Sequence, residues 1–242
     1  MTEIHRRIGL IVPSSNTTME TEVPALIRRL APGASFSFHG ARVRMREVRQ
    51  DELEHMNADA GRAMTELMDA PLDAVAYACL VAIMAMGNGY HRTAEAALSA
   101  IGPGVPCITS AGALVEELRL AGAHRVALVM PYADALARRV ADYIEAEGFT
   151  VADYVNLRVT DNAAVGRIPG STVLSALDRL NTAGVDQVVL SCCVQMPSAA
   201  VLDEAAARLG GRVTSAALCT SRQLLRRLDV AMADDLPIAA AA

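Results

Sequence analysis

Two stretches of this 242-residue chain, RIGLIVPSSN at 7–16 and RVALVMPYAD at 125–134, align without a gap and set Pro13 over Pro131, an offset of 118. A second pair, DAVAYACLVAIM at 73–84 and DQVVLSCCVQMP at 186–197, aligns at an offset of 113. Near-equal offsets imply two similar halves in tandem. Between the paired segments, short apolar β-branched runs alternate with longer Ala/Leu/Arg/Glu segments of helical period, the signature of βα units on parallel sheets. The fold class expected is therefore α/β: two pseudo-symmetric halves, each a parallel sheet flanked by helices, with the active site in the cleft between them.

Strands are expected at Ile8–Val12, Ser35–Val43, Ala74–Ala78, Cys107–Thr109, Arg125–Val129, Val151–Val159, Gln187–Leu190 and Val213–Ser215. Helices are expected at Thr18–Leu30, Gln50–Met68, Tyr90–Ala100, Ala111–Leu120, Tyr132–Ala146, Ser171–Ala183, Met196–Arg208 and Cys219–Leu228. No Gly/Ser linker marks a boundary, so the repeat places it near Ala111–Leu120 and divides the chain into 1–115 and 116–215.

Composition removes several function classes. With 52% hydrophobic and 20% charged residues the chain can bury a sizeable core. A net charge of −5 and 3% aromatic content supply neither the basic field nor the stacking surface of a nucleic-acid binder. No apolar run approaches the ~18–20 residues of a membrane span, and the opening MTEIHRRIGLIVPSS is too short in its apolar part for a signal peptide. A cytoplasmic location is expected. All 22 basic residues are arginine, so lysine Schiff-base chemistry, pyridoxal phosphate attachment and a P-loop lysine are excluded.

The five cysteines, an odd number without a secretory signal, read as reduced thiols rather than a disulfide framework. There is no CxxC pair, and the five histidines lack ligand spacing, so no metal site is expected. GNGYHR at 87–92 lacks the third glycine of a dinucleotide fingerprint and reads as a turn opening a helix; GxSxG is missing. Arg138, Arg139, Arg226 and Arg227 read as solvated helix faces, and Cys107 and Cys219 as small buried hydrophobes.

Cys79 and Cys193 differ from these, because each ends a strand and begins a βα turn, where helix N-terminal amides are expected to lower a thiol pKa. Ligands in open α/β sheets sit beyond the carboxyl ends of the strands, so facing halves would bring both cysteines to one cleft. The loop PSSNTTMETE at 13–22 is suited both to capping the helix it enters and to cradling a carboxylate with backbone N–H groups and the Asn16 amide. One ambiguity stands. Side chains alternate along a strand, so Cys192 and Cys193 cannot both face the cleft; the ungapped repeat pairs Cys79 with Cys192, whereas the position beside the turn favours Cys193.

PSSNTTMETE, YACLVAIM, VPCITSAGALVEELRLAGAHRVALVMPY and LSCCVQMPS together resemble bacterial maleate cis-trans isomerase, of the aspartate/glutamate racemase superfamily, over about residues 5 to 230. The resemblance implies cofactor-independent conversion of maleate to fumarate through a covalent succinyl-cysteine, on two halves that each lend a cysteine to the cleft. It implies Cys79 as nucleophile and Cys193 as acid/base. It further implies Asn16, Tyr132 and Asn162, with the backbone amides of Leu80, Val81 and Val194, as the donors that hold the substrate carboxylates. Cys192 stands where the family pattern SACVQMPS has alanine. By the same resemblance the last helix, within 216–230, returns to pack on the first half. The expected partners are a small dicarboxylate and a second copy of the chain in a homodimer. The competing readings are a two-cysteine amino-acid or hydantoin racemase, and a non-catalytic dicarboxylate-binding module; an arylmalonate-type decarboxylase would need only one cleft cysteine.

Overall fold

The computed structural model describes residues 5–233. The first half runs β1 (His5–Pro13), α1 (Met19–Leu30), β2 (Ser35–Val43), α2 (Gln50–Leu67), β3 (Ala74–Tyr77), α3 (Leu80–Met84), α4 (Tyr90–Ile101), β4 (Cys107–Thr109) and α5 (Ser110–Leu120). The second runs β5 (Arg125–Met130), α6 (Asp134–Ala146), β6 (Thr150–Asn156), α7 (Asn162–Val165), α8 (Gly170–Leu177), β7 (Gln187–Ser191), a 3-10 turn (Ala199–Val201), α9 (Leu202–Leu209), β8 (Val213–Ser215) and α10 (Ala216–Arg227). Each half holds one four-stranded sheet, β2-β1-β3-β4 and β6-β5-β7-β8, with all strand pairs parallel. The strand order is the same in both.

Register between the two central strands of each sheet repeats as well as order. Ile8, Gly9 and Leu10 pair with Ala74, Val75 and Ala76, while Val126, Ala127 and Leu128 pair with Gln187, Val188 and Val189, the positions that the offsets 118 and 113 equate. The central strands are buried throughout their apolar lengths, from Ile8 to Val12 and from Val126 to Met130, so helices must cover both faces of each sheet. In α1 the core side chains Val23, Leu26, Ile27 and Leu30 follow the helical period and form one apolar stripe.

The halves diverge by one residue at the end of β7. Tyr77 pairs with Thr109 and Val189 with Thr214, but the next partner, Ser215, faces Ser191 rather than Leu190. This register shift is a bulge, in which one strand carries an extra residue. Beyond it the equivalences move by one: Ala78 N–H donates to Ile11 O, whereas Cys192 N–H, not Ser191, donates to Val129 O. Cys192 is thus the counterpart of Ala78, and Cys193 that of Cys79. The pairing of Cys79 with Cys192 suggested by the ungapped repeat is corrected by this bulge.

Other expected elements shift for identifiable reasons. The helix expected over Ser171–Ala183 stops at Leu177, and the Asn181 N–H is instead held by the Asp153 carboxylate on β6 at 2.8 Å. The helix expected from Met196 starts only at Leu202, because Glu22 on α1 accepts the Ser198 and Ala199 N–H groups at 2.7 and 2.8 Å and fixes that stretch as a capped turn. β6 ends at Asn156, before Arg158 adopts a left-handed φ of 57°. The helix after β5 begins at Asp134, which leaves Tyr132 in the loop. GNGYHR does open a helix: Gly89 sits at φ 72° directly before α4. α10 packs against both α5 and α1, with Thr220 Oγ1 donating to Ser110 Oγ at 3.0 Å and Gln223 Nε2 to Glu117 Oε1 at 2.7 Å.

Candidate active site

The carboxyl ends of β1, β3, β5 and β7 converge on one pocket. Its walls include Asn16, Cys79, Leu80 and Val81 from the first half and Tyr132, Asn162, Cys193 and Val194 from the second, every site residue expected from sequence. Cys192 is not among them; it is fully buried, with Cys219 as a near neighbour. Pro13, Met45, Val48, Val165 and Gln195 complete the lining. Among the described residues, no charged side chain lines it.

The local sequence explains the placement of each thiol. β3 ends at Tyr77 and Cys79 occupies the N-cap position of α3 in extended conformation, so its side chain leaves the sheet at the start of a helix. Leu80 and Val81 open that helix, and their amides have no partner in a preceding turn. Cys193 follows the last ladder hydrogen bond of its strand, and its carbonyl accepts from the fully buried Ser191 hydroxyl at 2.8 Å.

The electrostatics depart from the sequence expectation. Burial pushes the Cys79 thiol up to about 12, against the lowering effect of a hydrogen bond from the Ala82 N–H and with a further rise from charge on Cys193. Cys193 is also raised by burial, partly offset by the Tyr132 hydroxyl and the Gln195 and Met196 N–H groups. Desolvation outweighs the helix N-terminus here because α3 has only five residues and the pocket is nearly closed. Each thiol is therefore protonated at neutral pH, and the pair resists carrying two negative charges at once.

The donors are arranged around these sulfurs. Asn16 Oδ1 accepts from the Thr18 and Met19 N–H groups, both at 2.9 Å, which caps α1 and fixes the side chain. Its Nδ2 is buried without a partner, alone in this respect among the described pocket residues. Such an orphaned donor is costly unless an acceptor reaches it. Asn162 Nδ2 donates to Ser15 Oγ at 2.8 Å, and the Tyr132 hydroxyl to the Cys192 carbonyl at 2.9 Å. Tyr132 must release that carbonyl to donate to a ligand.

The free space within the pocket is small, with room for about one water. Met45 and Val48 form part of the wall on the 44–49 segment, which is tied to the second half by Val48 N–H to Thr160 O at 3.1 Å and Asn162 N–H to Arg46 O at 3.4 Å. A four-carbon dicarboxylate is larger than this space. The feature that sequence reasoning missed is Gln195: its neighbours across the cleft lie far away in the chain, although its place two residues after Cys193 in CVQMP was a signal.

Comparison with known proteins agrees with this geometry. Residues 8–235 match the family model described as arylmalonate decarboxylase. A maleate isomerase of Alcaligenes faecalis is 48% identical over 92% of this chain and 90% of its own length. Among solved structures, a serine-for-cysteine mutant of Nocardia farcinica maleate cis-trans isomerase with a covalently bound succinylcysteine intermediate superimposes with a TM-score of 0.91 at 48% identity, covering 93% of this chain and 94% of that one. A cysteine-to-alanine variant of the maleate isomerase Iso from Pseudomonas putida S16, with maleate, gives a TM-score of 0.91 at 43% identity over 93% of each chain.

Proposed function

Because the chain belongs to the arylmalonate decarboxylase family, and among its members to the maleate isomerases, we propose that it converts maleate to fumarate with Cys79 as nucleophile and Cys193 as acid/base. The observation that carries the reading is one pocket lined by two thiols from equivalent positions of the two halves, with the unpaired Asn16 Nδ2 beside them.

Rotation about a carbon–carbon double bond needs that bond to become transiently single. Loss of the Cys79 proton to solvent gives the minor thiolate form, which adds to one alkene carbon, and the π electrons move onto the adjacent carboxylate as an aci-carboxylate dianion. The Cys193 thiol protonates the neighbouring carbon, which leaves a succinyl group on the Cys79 sulfur and a thiolate at Cys193. Rotation about the new single bond carries the carboxylates apart. The Cys193 thiolate then removes the proton, the carbon–sulfur bond breaks, and fumarate leaves with the Cys79 thiolate regenerated. Sulfur suits both directions as nucleophile and leaving group. No electrons are gained or lost overall.

The developing charge falls to neutral donors: Asn16 Nδ2, the Asn162 amide, the Tyr132 hydroxyl once released, and the Leu80, Val81 and Val194 N–H groups. A lining without arginine holds the carboxylates through hydrogen bonds that can exchange as one of them swings. Residues 1–115 with the returning α10 and residues 116–215 act as the two catalytic halves, a reading supported by the matched sheet orders. A homodimer is the assembly we assign, to be tested by sedimentation, and the cytoplasm the compartment, since the chemistry requires reduced thiols.

Proton NMR of maleate with the purified protein under reducing conditions tests the whole reading. The maleate singlet should give way to that of fumarate. Unchanged maleate, carbon dioxide released from an arylmalonate, or deuterium exchange at Cα of aspartate would each overturn it.

A further inference from the structure

The Gln195 side chain has no role in the thiol chemistry above, yet it lines the pocket, and the residue is 2% exposed. Its Nε2 donates to Asn162 O at 2.9 Å and Ser15 O at 3.2 Å, and its Oε1 accepts from Thr17 N at 3.1 Å and Thr18 N at 3.3 Å. Both amide hydrogens and both oxygen lone pairs are thereby used. Three of the four partners flank Asn16, whose Nδ2 is the unpaired donor, and the fourth belongs to Asn162. The Gln195 N–H itself points to the Cys193 sulfur.

We propose that Gln195 is a positioning residue. Its amide clasps the Asn16 loop and the Asn162 backbone to the turn carrying Cys193, and so sets the distance between the carboxylate donors and the acid/base thiol. The proposal rests on the isomerase reading. Only a primary amide can make this set of bonds: a carboxylate could accept from Thr17 and Thr18 but would turn bare oxygen onto the Ser15 and Asn162 carbonyls, and an apolar side chain would satisfy none of the four.

A second residue gives independent access to the same contact. A Cβ on Gly166 would lie 2.6 Å from Gln195 Nε2. Gly166 has an ordinary right-handed helical backbone, φ −66° and ψ −13°, so alanine there is conformationally permitted and acts chiefly by displacing the amide, with Thr17 Oγ1 at 3.3 Å the other close atom.

The test compares wild type with Gln195→Glu, Gln195→Met and Gly166→Ala, each shown to be folded by thermal unfolding, and reads kcat and KM for maleate from pH 5.5 to 8.5. Misplacement by about 1 Å costs on the order of 10²-fold in rate, and losses of that order in kcat/KM are expected for both Gln195 variants at pH 8, with a smaller loss of about tenfold for Gly166→Ala. A protonated glutamic acid regains one donor. The ratio of Gln195→Glu to wild type should therefore climb as pH falls, while the ratio for Gln195→Met stays level; a residue with a merely structural role would give no such crossing. Folded Gln195→Met within threefold of wild type, or a level ratio for Gln195→Glu, would overturn the role. Should neither Gln195 variant fold, Gly166→Ala decides by the same threefold limit. Wild-type protein that leaves maleate unchanged sinks the isomerase reading, and this role with it; active wild type with unaffected variants sinks the positioning role alone.

Discussion

Replacing each of the adjacent cysteines by alanine separates a core residue from a catalytic one. Cys192 is fully buried outside the pocket, and its two hydrogen bonds, N–H to Val129 O and carbonyl from the Tyr132 hydroxyl, involve backbone atoms that alanine keeps. Cys192→Ala should therefore lose only the packing of one sulfur, about 1–2 kcal/mol of stability, and hold kcat within about threefold. Cys193→Ala removes the only pocket thiol opposite Cys79. General acid–base catalysis is worth about 10²–10⁴-fold, or roughly 2.7–5.4 kcal/mol of barrier, so kcat should fall by at least a hundredfold. The assay is the loss of the maleate olefinic signal, with reductant present and folded protein matched by thermal unfolding. Mass spectrometry of maleate-treated Cys193→Ala adds a check: any adduct should sit on the peptide containing Cys79. A larger loss in Cys192→Ala than in Cys193→Ala would refute the bulge-based assignment.

Cys79→Ala should abolish turnover while keeping the fold, as judged by thermal unfolding; retained activity would exclude it as nucleophile. Asn16→Leu deletes both the orphaned donor and the cap on the Thr18 and Met19 amides, so KM should rise while stability drops by about 1 kcal/mol. Because both pocket thiols are raised, Cys79 to about 12, kcat/KM should climb between pH 7 and 9 by up to about tenfold per unit, and a flat or falling profile would contradict the thiolate step. The linked stability effect has the matching sign. All five cysteines are held above their ordinary value, so their contribution is intact below the unfolded thiol pKa near 8.5 and is lost as pH rises toward 12, readable as a falling urea midpoint. Glu147 behaves oppositely: Arg92 and Arg119 hold it at about 2, so its contribution, about 1 kcal/mol after solvent screening, is present above pH 4.5 and lost on acidification, and Glu147→Gln should remove that dependence.

What the chain alone determines is whatever is encoded by runs of adjacent residues. Apolar period placed every main strand, and the two ungapped repeats foretold two similar halves, each with a parallel sheet. Strand-end position singled out Cys79, Cys193 and Asn16, all of which meet at one pocket. The short helices α3 and α7, at five and four residues, are below the length at which a helical period can be read. Three matters were decided only by tertiary structure. The bulge after Val189 is a property of the β7–β8 pairing, and it makes Cys193 rather than Cys192 the counterpart of Cys79. The thiol pKa values rise rather than fall because desolvation sums over atoms from both halves, while the helix-end effect is local. Gln195 reaches partners as far as 180 residues away along the chain; hydrogen bonds of that kind leave no periodic trace in sequence, since their geometry exists only after the two sheets have folded and closed on each other.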